Sequence, residues 1–127
     1  MAGIVRRYQK QNLKIAPHFN LLEFACKDGS DLILLDDELI DKIEILRNMI
    51  DKPIKIISGY RTEAYNKQIN GATHSYHCKG QAVDIKVDGL PVEELAIYGA
   101  RLFNGIILYK DFVHLDTRYE TYIHINK

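Results

Sequence analysis

The sequence predicts an α+β fold: a small antiparallel sheet flanked by about three helices. Three observations carry that prediction. A helical apolar period runs from Asp36 to Ile50, short alternating segments follow Ala82, and the helical patterns come early while most strand patterns come late. The 127 residues suit one core, and 46% hydrophobic against 27% charged residues suits a core that needs no staples. No internal repeat, low-complexity tract or Gly/Ser linker interrupts the chain, so residues 1–127 read as one unit.

Taken in order, the first residues, 1–15, are polar, carry Arg6, Arg7 and Lys10, and read as a loosely packed N-terminal arm. Phe19, Leu21, Leu22 and Phe24 form an apolar lead-in, and Lys27 to Asp31 reads as a turn. Leu39, Ile43, Leu46 and Ile50 then share one helix face. Asp36, Asp37 and Glu38 sit at the positive end of its dipole, and Pro53 ends it. Ile54 to Ser58 is a buried strand closed by Gly59, and Thr62 caps a short helix running through Ile69. A polar loop, Asn70 to Gln81, leads into the strand Ala82 to Val87. Pro91 opens a helix with Glu93 and Glu94 in its first turn, predicted to reach Phe103. Gly105 to Tyr109 and Phe112 to Thr117 read as strands around a Lys110-Asp111 turn, and Tyr122 to Ile125 adds an edge strand.

Lys plus Arg equals Asp plus Glu, 17 against 17, and a chain without basic excess is a poor duplex binder; no nucleic acid partner is expected. No stretch reaches the roughly 18–20 apolar residues of a membrane span, so no stable membrane association is expected. No apolar run follows the N-terminus, which predicts synthesis in the cytoplasm without a signal peptide. Cys26 and Cys78 read as free thiols, and the chain as a monomer.

The chemistry lies in two strands with one apolar and one polar face. Val83, Ile85 and Val87 point one way, and Ala82, Asp84 and Lys86 the other. Val113 and Leu115 share one face of the later strand, while Phe112, His114 and Asp116 share its opposite face. Laid side by side, these strands bring Asp84 to His114, and His77 in the preceding loop reaches the same point. Two imidazoles and a carboxylate suit Zn²⁺, and three protein ligands leave a fourth position open. An open zinc ion acidifies water and polarises a carbonyl, and a carboxylate base beside it completes the set. Asp116 has the easier geometry for that base and Asp111 needs the turn to curl it back; spacing leaves the choice open.

Ser75 to Asp84, SYHCKGQAVD, fits S-x-H-x-x-G-x-A-x-D throughout. With Ser58-Gly-Tyr-Arg-Thr62 upstream and Asp111-Phe-Val-His114 running on to Asp116 and Arg118, the chain resembles the zinc D-Ala-D-Ala carboxypeptidase and L-alanyl-D-glutamate peptidase family. The resemblance extends back to the segment Phe19 to Asp28, similar to the short single-domain branch that includes phage endolysins. It implies a single zinc peptidase catalytic domain, with His77, Asp84 and His114 as metal ligands for one catalytic ion. It places the general base at Asp111 and gives Arg61 the substrate or the oxyanion. Ser75 and Asp116 act behind the ligands, with Asp116 orienting His114. The implied substrate is a peptidoglycan stem peptide. D-alanyl-D-alanine carboxypeptidase is the first expectation and L-alanyl-D-glutamate endopeptidase the alternative. A non-catalytic zinc-stabilised module binding cell-wall peptides is the reading from another class. The site of action is the wall for a phage or prophage lysin, and otherwise the cytoplasm.

Ordinary explanations cover the remaining candidates. His18, His74 and His124 lack such a context and read as plain polar residues. Cys78 is incidental to its neighbour His77, and Cys26 is a small buried hydrophobe. Gly80 and Ala82 read as small residues that let loop and strand backbones approach the metal centre.

Overall fold

The computed structural model describes residues 3–126; Met1, Ala2 and Lys127 lie outside the described residues. Val5–Gln9 (β1), Lys14–Ala16 (β2), Phe19–Asn20 (β3) and Leu32–Asp36 (β4) make two antiparallel pairs, β1 with β4 and β2 with β3. The segment expected as a loose arm is thus tied down through its backbone, with Val5 opposite Asp36 and Gln9 opposite Leu32. Its side chains stay exposed apart from the half-buried Tyr8, so no apolar pattern announces the pairing.

The helix Asp37–Ile50 (α1) starts at Asp36, whose carboxylate accepts from the Glu38 amide, and it buries Leu39, Ile43, Leu46 and Ile50 as predicted. It ends at Asp51 in the left-handed conformation, φ 56°, two residues before Pro53. Lys55–Ser58 (β5) follows, then Glu63–Gln68 (α2), capped by the Thr62 hydroxyl on the Tyr65 amide. Ala82–Lys86 (β6) comes after a 3-10 turn at Tyr76–Lys79. The next helix, Val92–Gly99 (α3), stops short of the predicted Phe103. Gly99 packs against Leu115, where an added Cβ would lie 2.7 Å from a leucine methyl, and the chain turns there to bring Phe103 into the core.

Gly105–Tyr109 (β7), Val113–Asp116 (β8) and Tyr122–Asn126 (β9) complete a five-stranded sheet in the order β5-β6-β8-β7-β9. It is antiparallel except for β9, which runs parallel to β7. β8 ends beside Gly105, so a short connection across that end delivers Tyr122 to the start of β7 and leaves β9 the same direction. The Asn104 amide pins the crossing by donating to the carbonyls of Arg118 and Tyr119 at 3.0 and 2.9 Å. Val83, Ile85, Val113, Leu115 and Ile106 are buried on one face of the sheet; Ala82, Asp84, His114 and Asp116 lie on the other. Among the described residues no helix is long and apolar enough to cross a membrane.

Gly80 is a tertiary requirement of a different kind from the one expected. Its φ is 72°, and a Cβ there would collide with the Leu34 carbonyl of β4, so the close approach is to β4. Gly80→Ala therefore combines a left-handed penalty with a backbone clash. It is expected to cost about 1–3 kcal/mol or more, read as a lower urea midpoint at unchanged m-value.

Candidate metal centre

Pairing β6 with β8 sets Asp84 directly opposite His114 and Ala82 opposite Asp116. His77 arrives from the 3-10 turn. Ser75 caps that turn, its hydroxyl accepting from the His77 amide at 3.2 Å. The segment after β5 supports it from below. Gly59 offers its carbonyl to His77 Nδ1 at 2.8 Å, and the Arg61 amide donates to the His77 carbonyl at 3.2 Å. Gly59 carries no side chain because the Phe24 backbone stands 2.6 Å from where a Cβ would be.

His77 Nε2 and His114 Nδ1 each lie 3.1 Å from Asp84 Oδ1, and the three potential ligand atoms fall within 4.8 Å of one another. All three residues are buried, at 2%, 5% and 7% exposure for His77, Asp84 and His114. The protons on the far sides of the rings decide what this cluster can hold. A carbonyl can only accept, so His77 carries its proton on Nδ1 toward Gly59. His114 Nε2 sits 2.7 Å from Asp116 Oδ2, so its proton lies there. Each neutral imidazole then turns a lone pair on Asp84 Oδ1. Three electron-pair donors facing one point are stable together only around a cation, or with both rings protonated. The donor set fits a divalent metal.

Asp116 is fully buried and accepts from His114 and from the amide, Nε and Nη2 of Arg118. Burial alone would raise its pKa, but Arg118 and His114 outweigh that and hold it at about 2. For His114, burial opposes charge, and the hydrogen bonds to Asp116 and Asp84 prevail to raise its pKa. Burial also opposes charge on Asp84, yet His114 and His77 hold it well below the usual carboxylate range. Asp116 thus orients a ring. Asp116→Asn is expected to weaken metal affinity about 10–100-fold in a chelator competition.

Arg61 is anchored on three sides: Nε donates to Ser58 Oγ at 3.1 Å, Nη1 to Asn66 Oδ1 at 3.2 Å, and Nη2 to Asp84 Oδ2 at 3.1 Å. It therefore fixes the second oxygen of the carboxylate whose first oxygen faces the two imidazoles. Asn66 was not singled out from the sequence. It is 5% exposed, holds Arg61 with its oxygen, and donates from Nδ2 to the Ala72 carbonyl at 3.0 Å. A mid-helix asparagine is a weak helix former that competes for backbone hydrogen bonds, and that oddity was its only local signal.

The cluster opens into a cavity of about 270 Å³, whose lining includes Arg61, Ser75, Tyr109 and Phe112; the last two rings stack at 4.5 Å. Asp111 lies between Tyr109 and Phe112 in the turn but is exposed, makes no hydrogen bond, and is not among the lining residues. The structure brings together His77, Asp84, His114, Arg61, Ser75 and Asp116, and does not bring Asp111 into the lining with them. Cys78 stands apart, its sulfur 3.9 Å from the Thr62 carbonyl. His18 pairs with Glu44, and His74 and His124 are exposed.

The family profile described as Peptidase M15 matches residues 17–116, a span that contains Arg61, Ser75, His77, Asp84, Asp111, His114 and Asp116. The chain belongs to the peptidase M15 family. Among curated relatives, the peptidoglycan L,D-endopeptidase MepK of Escherichia coli K12 is 29% identical over 122 residues, covering 88% of this chain and 65% of that protein. The MepK of Shigella flexneri matches to the same extent. A probable MepK from Haemophilus influenzae is 36% identical over 72 residues, 50% of this chain and 39% of its own. The chain thus spans about two thirds or less of the length of these relatives.

Proposed function

We propose that this chain is a zinc-dependent endopeptidase that cuts a bond between L- and D-configured centres in peptidoglycan peptides. The observation that carries the proposal is the inward aim of three electron-pair donors, with the outer protons of both imidazoles fixed by Gly59 and Asp116. Two imidazoles and one carboxylate favour zinc. An ion held by His77 Nε2, Asp84 Oδ1 and His114 Nδ1 supplies Lewis acidity, polarising a carbonyl and acidifying water.

The remaining work falls to the chain's own groups. Of the five guanidinium donors of Arg61, three are engaged, leaving two for an oxyanion or a substrate carbonyl in the cavity. Asp111, exposed in the turn between Tyr109 and Phe112, takes the proton of the attacking water and returns it to the leaving amine nitrogen. Tyr109 and Phe112 wall the cavity and limit its exposure to solvent.

The sequence put a D-alanyl-D-alanine carboxypeptidase first. One finding favours the endopeptidase alternative. The curated relatives carry the name L,D-endopeptidase, and an L-alanyl-D-glutamate bond is itself an L,D bond.

Digestion of defined muropeptides with and without chelator, read by mass spectrometry, tests this. Fragments from an internal L,D cleavage, lost on chelation, are expected. Release of terminal D-alanine alone would return the carboxypeptidase, and no metal-dependent product would leave the binding module.

A further inference from the structure

Arg61 stands just ahead of Thr62, the cap of α2, yet its guanidinium is gripped by a side chain from inside that helix. Asn66, the fourth residue of α2, has both ends of its amide engaged. Oδ1 accepts from Arg61 Nη1 at 3.2 Å, and Nδ2 donates to the Ala72 carbonyl at 3.0 Å. The chemistry of the partners forces that orientation. A guanidinium only donates and a carbonyl only accepts, so a reversed amide would set donor against donor and acceptor against acceptor. The main chain adds a third tie, the Gly71 amide donating to the Asn66 carbonyl at 2.7 Å. One residue thus fastens Arg61 to Gly71 and Ala72, all of which line the metal cavity.

Gly71 makes the room for this arrangement. A Cβ at Gly71 would collide with Asn66 Oδ1. The glycines with left-handed φ are Gly29, Gly80 and Gly89, so backbone conformation does not explain a glycine at 71. The amide does.

The choice of a neutral side chain follows from what else touches Arg61. Nη2 already donates to the Asp84 carboxylate. A second carboxylate at 66 would hold Nη1 as firmly, but it would cancel positive charge and turn an oxygen on the Ala72 carbonyl. The amide holds Nη1 without cancelling anything. Nη1 and Nη2 each keep one further hydrogen, and with both nitrogens fixed these two donors have a set direction. We propose that Asn66 is a positioning residue for Arg61, a neutral clamp that orients the guanidinium and leaves its charge for the substrate. The orientation of Arg61 stands on this geometry alone; its effect on turnover rests on the peptidase reading above.

The test joins side-chain NMR of Arg61 in the zinc-loaded chain to muropeptide kinetics. In the wild type the two Nη1 protons are expected as separate signals at low temperature, because the bond to Asn66 blocks their exchange by rotation. Asn66→Ala and Gly71→Ala are expected to merge them, and Asn66→Asp to keep them apart. Gly71→Ala breaks the same bond from outside the helix, so the test survives an unfolded Asn66→Ala. All three variants are expected to keep zinc and lose about 10–100-fold in kcat, with KM changed little. Ordered protons with lost turnover in Asn66→Asp separate charge from position, which a merely structural role would not do. Once Asn66 is alanine, Gly71→Ala is expected to cost nothing more, because the amide it displaces is gone. Separate Nη1 protons in Gly71→Ala, additive losses in the double variant, or full turnover in Asn66→Asp overturns the proposal. A wild type with ordered Nη1 protons but no metal-dependent hydrolysis sinks the peptidase reading alone. An active wild type whose Gly71→Ala variant keeps those protons ordered sinks the clamp alone.

Discussion

His77→Ala is expected to give a folded protein that holds no stoichiometric zinc and has no measurable peptidase turnover. The ring supplies one of three inward lone pairs, and its removal leaves Asp84 and His114 with too few donors to close a tetrahedral site. Lewis-acid catalysis contributes several kcal/mol, and each 1.4 kcal/mol is tenfold, so the loss should exceed about 10³-fold. Some stability goes as well, since the Gly59 carbonyl loses its donor, at a cost of about 1–3 kcal/mol. Metal analysis after dialysis is the primary measurement. His124→Ala, on the exposed β9, should retain both metal and turnover. Full zinc occupancy in His77→Ala would remove the ligand assignment.

Asp111→Asn is expected to keep zinc and lose about 10²–10⁴-fold in kcat, the typical contribution of a general base. The structure sharpens the choice between the two acids that sequence spacing left open. Asp116 is at 0% exposure, has both oxygens engaged by His114 and Arg118, and is held at a pKa of about 2, so it takes up no proton near neutrality. Asp111 is exposed, and its carboxylate is not committed to a hydrogen bond within the fold. The paired measurement is kcat and zinc affinity for both variants. Asp111→Asn should change the first and Asp116→Asn chiefly the second. A reversed pattern would exchange their roles.

What could be read from the sequence was what local periodicity encodes. The alternation of Ala82-Val-Asp-Ile and Val113-His-Leu-Asp put Asp84 and His114 on one face, and β6 and β8 pair in the register that joins them. The buried stripe of α1 was legible for the same reason. The groups that fix proton positions were harder to see. The Gly59 carbonyl is backbone, which no residue type advertises, and Asn66 acts across the fold on Arg61. The β1–β4 pairing was hidden because exposed strands carry no apolar alternation. The direction of β9 depends on where β8 ends, which is tertiary information. Gly80 showed that a glycine was needed but not for what; its neighbour is the Leu34 carbonyl of β4.

The two rings enter the cluster by different nitrogens, His77 by Nε2 and His114 by Nδ1. The donor of His77 therefore stands farther from its backbone than that of His114. Their nearest steric mimics differ accordingly: glutamine places an oxygen where His77 has its lone pair, and asparagine does so for His114. Evolutionary or engineered exchange of either histidine is constrained to its own side-chain length, and the pair cannot be treated as equivalent.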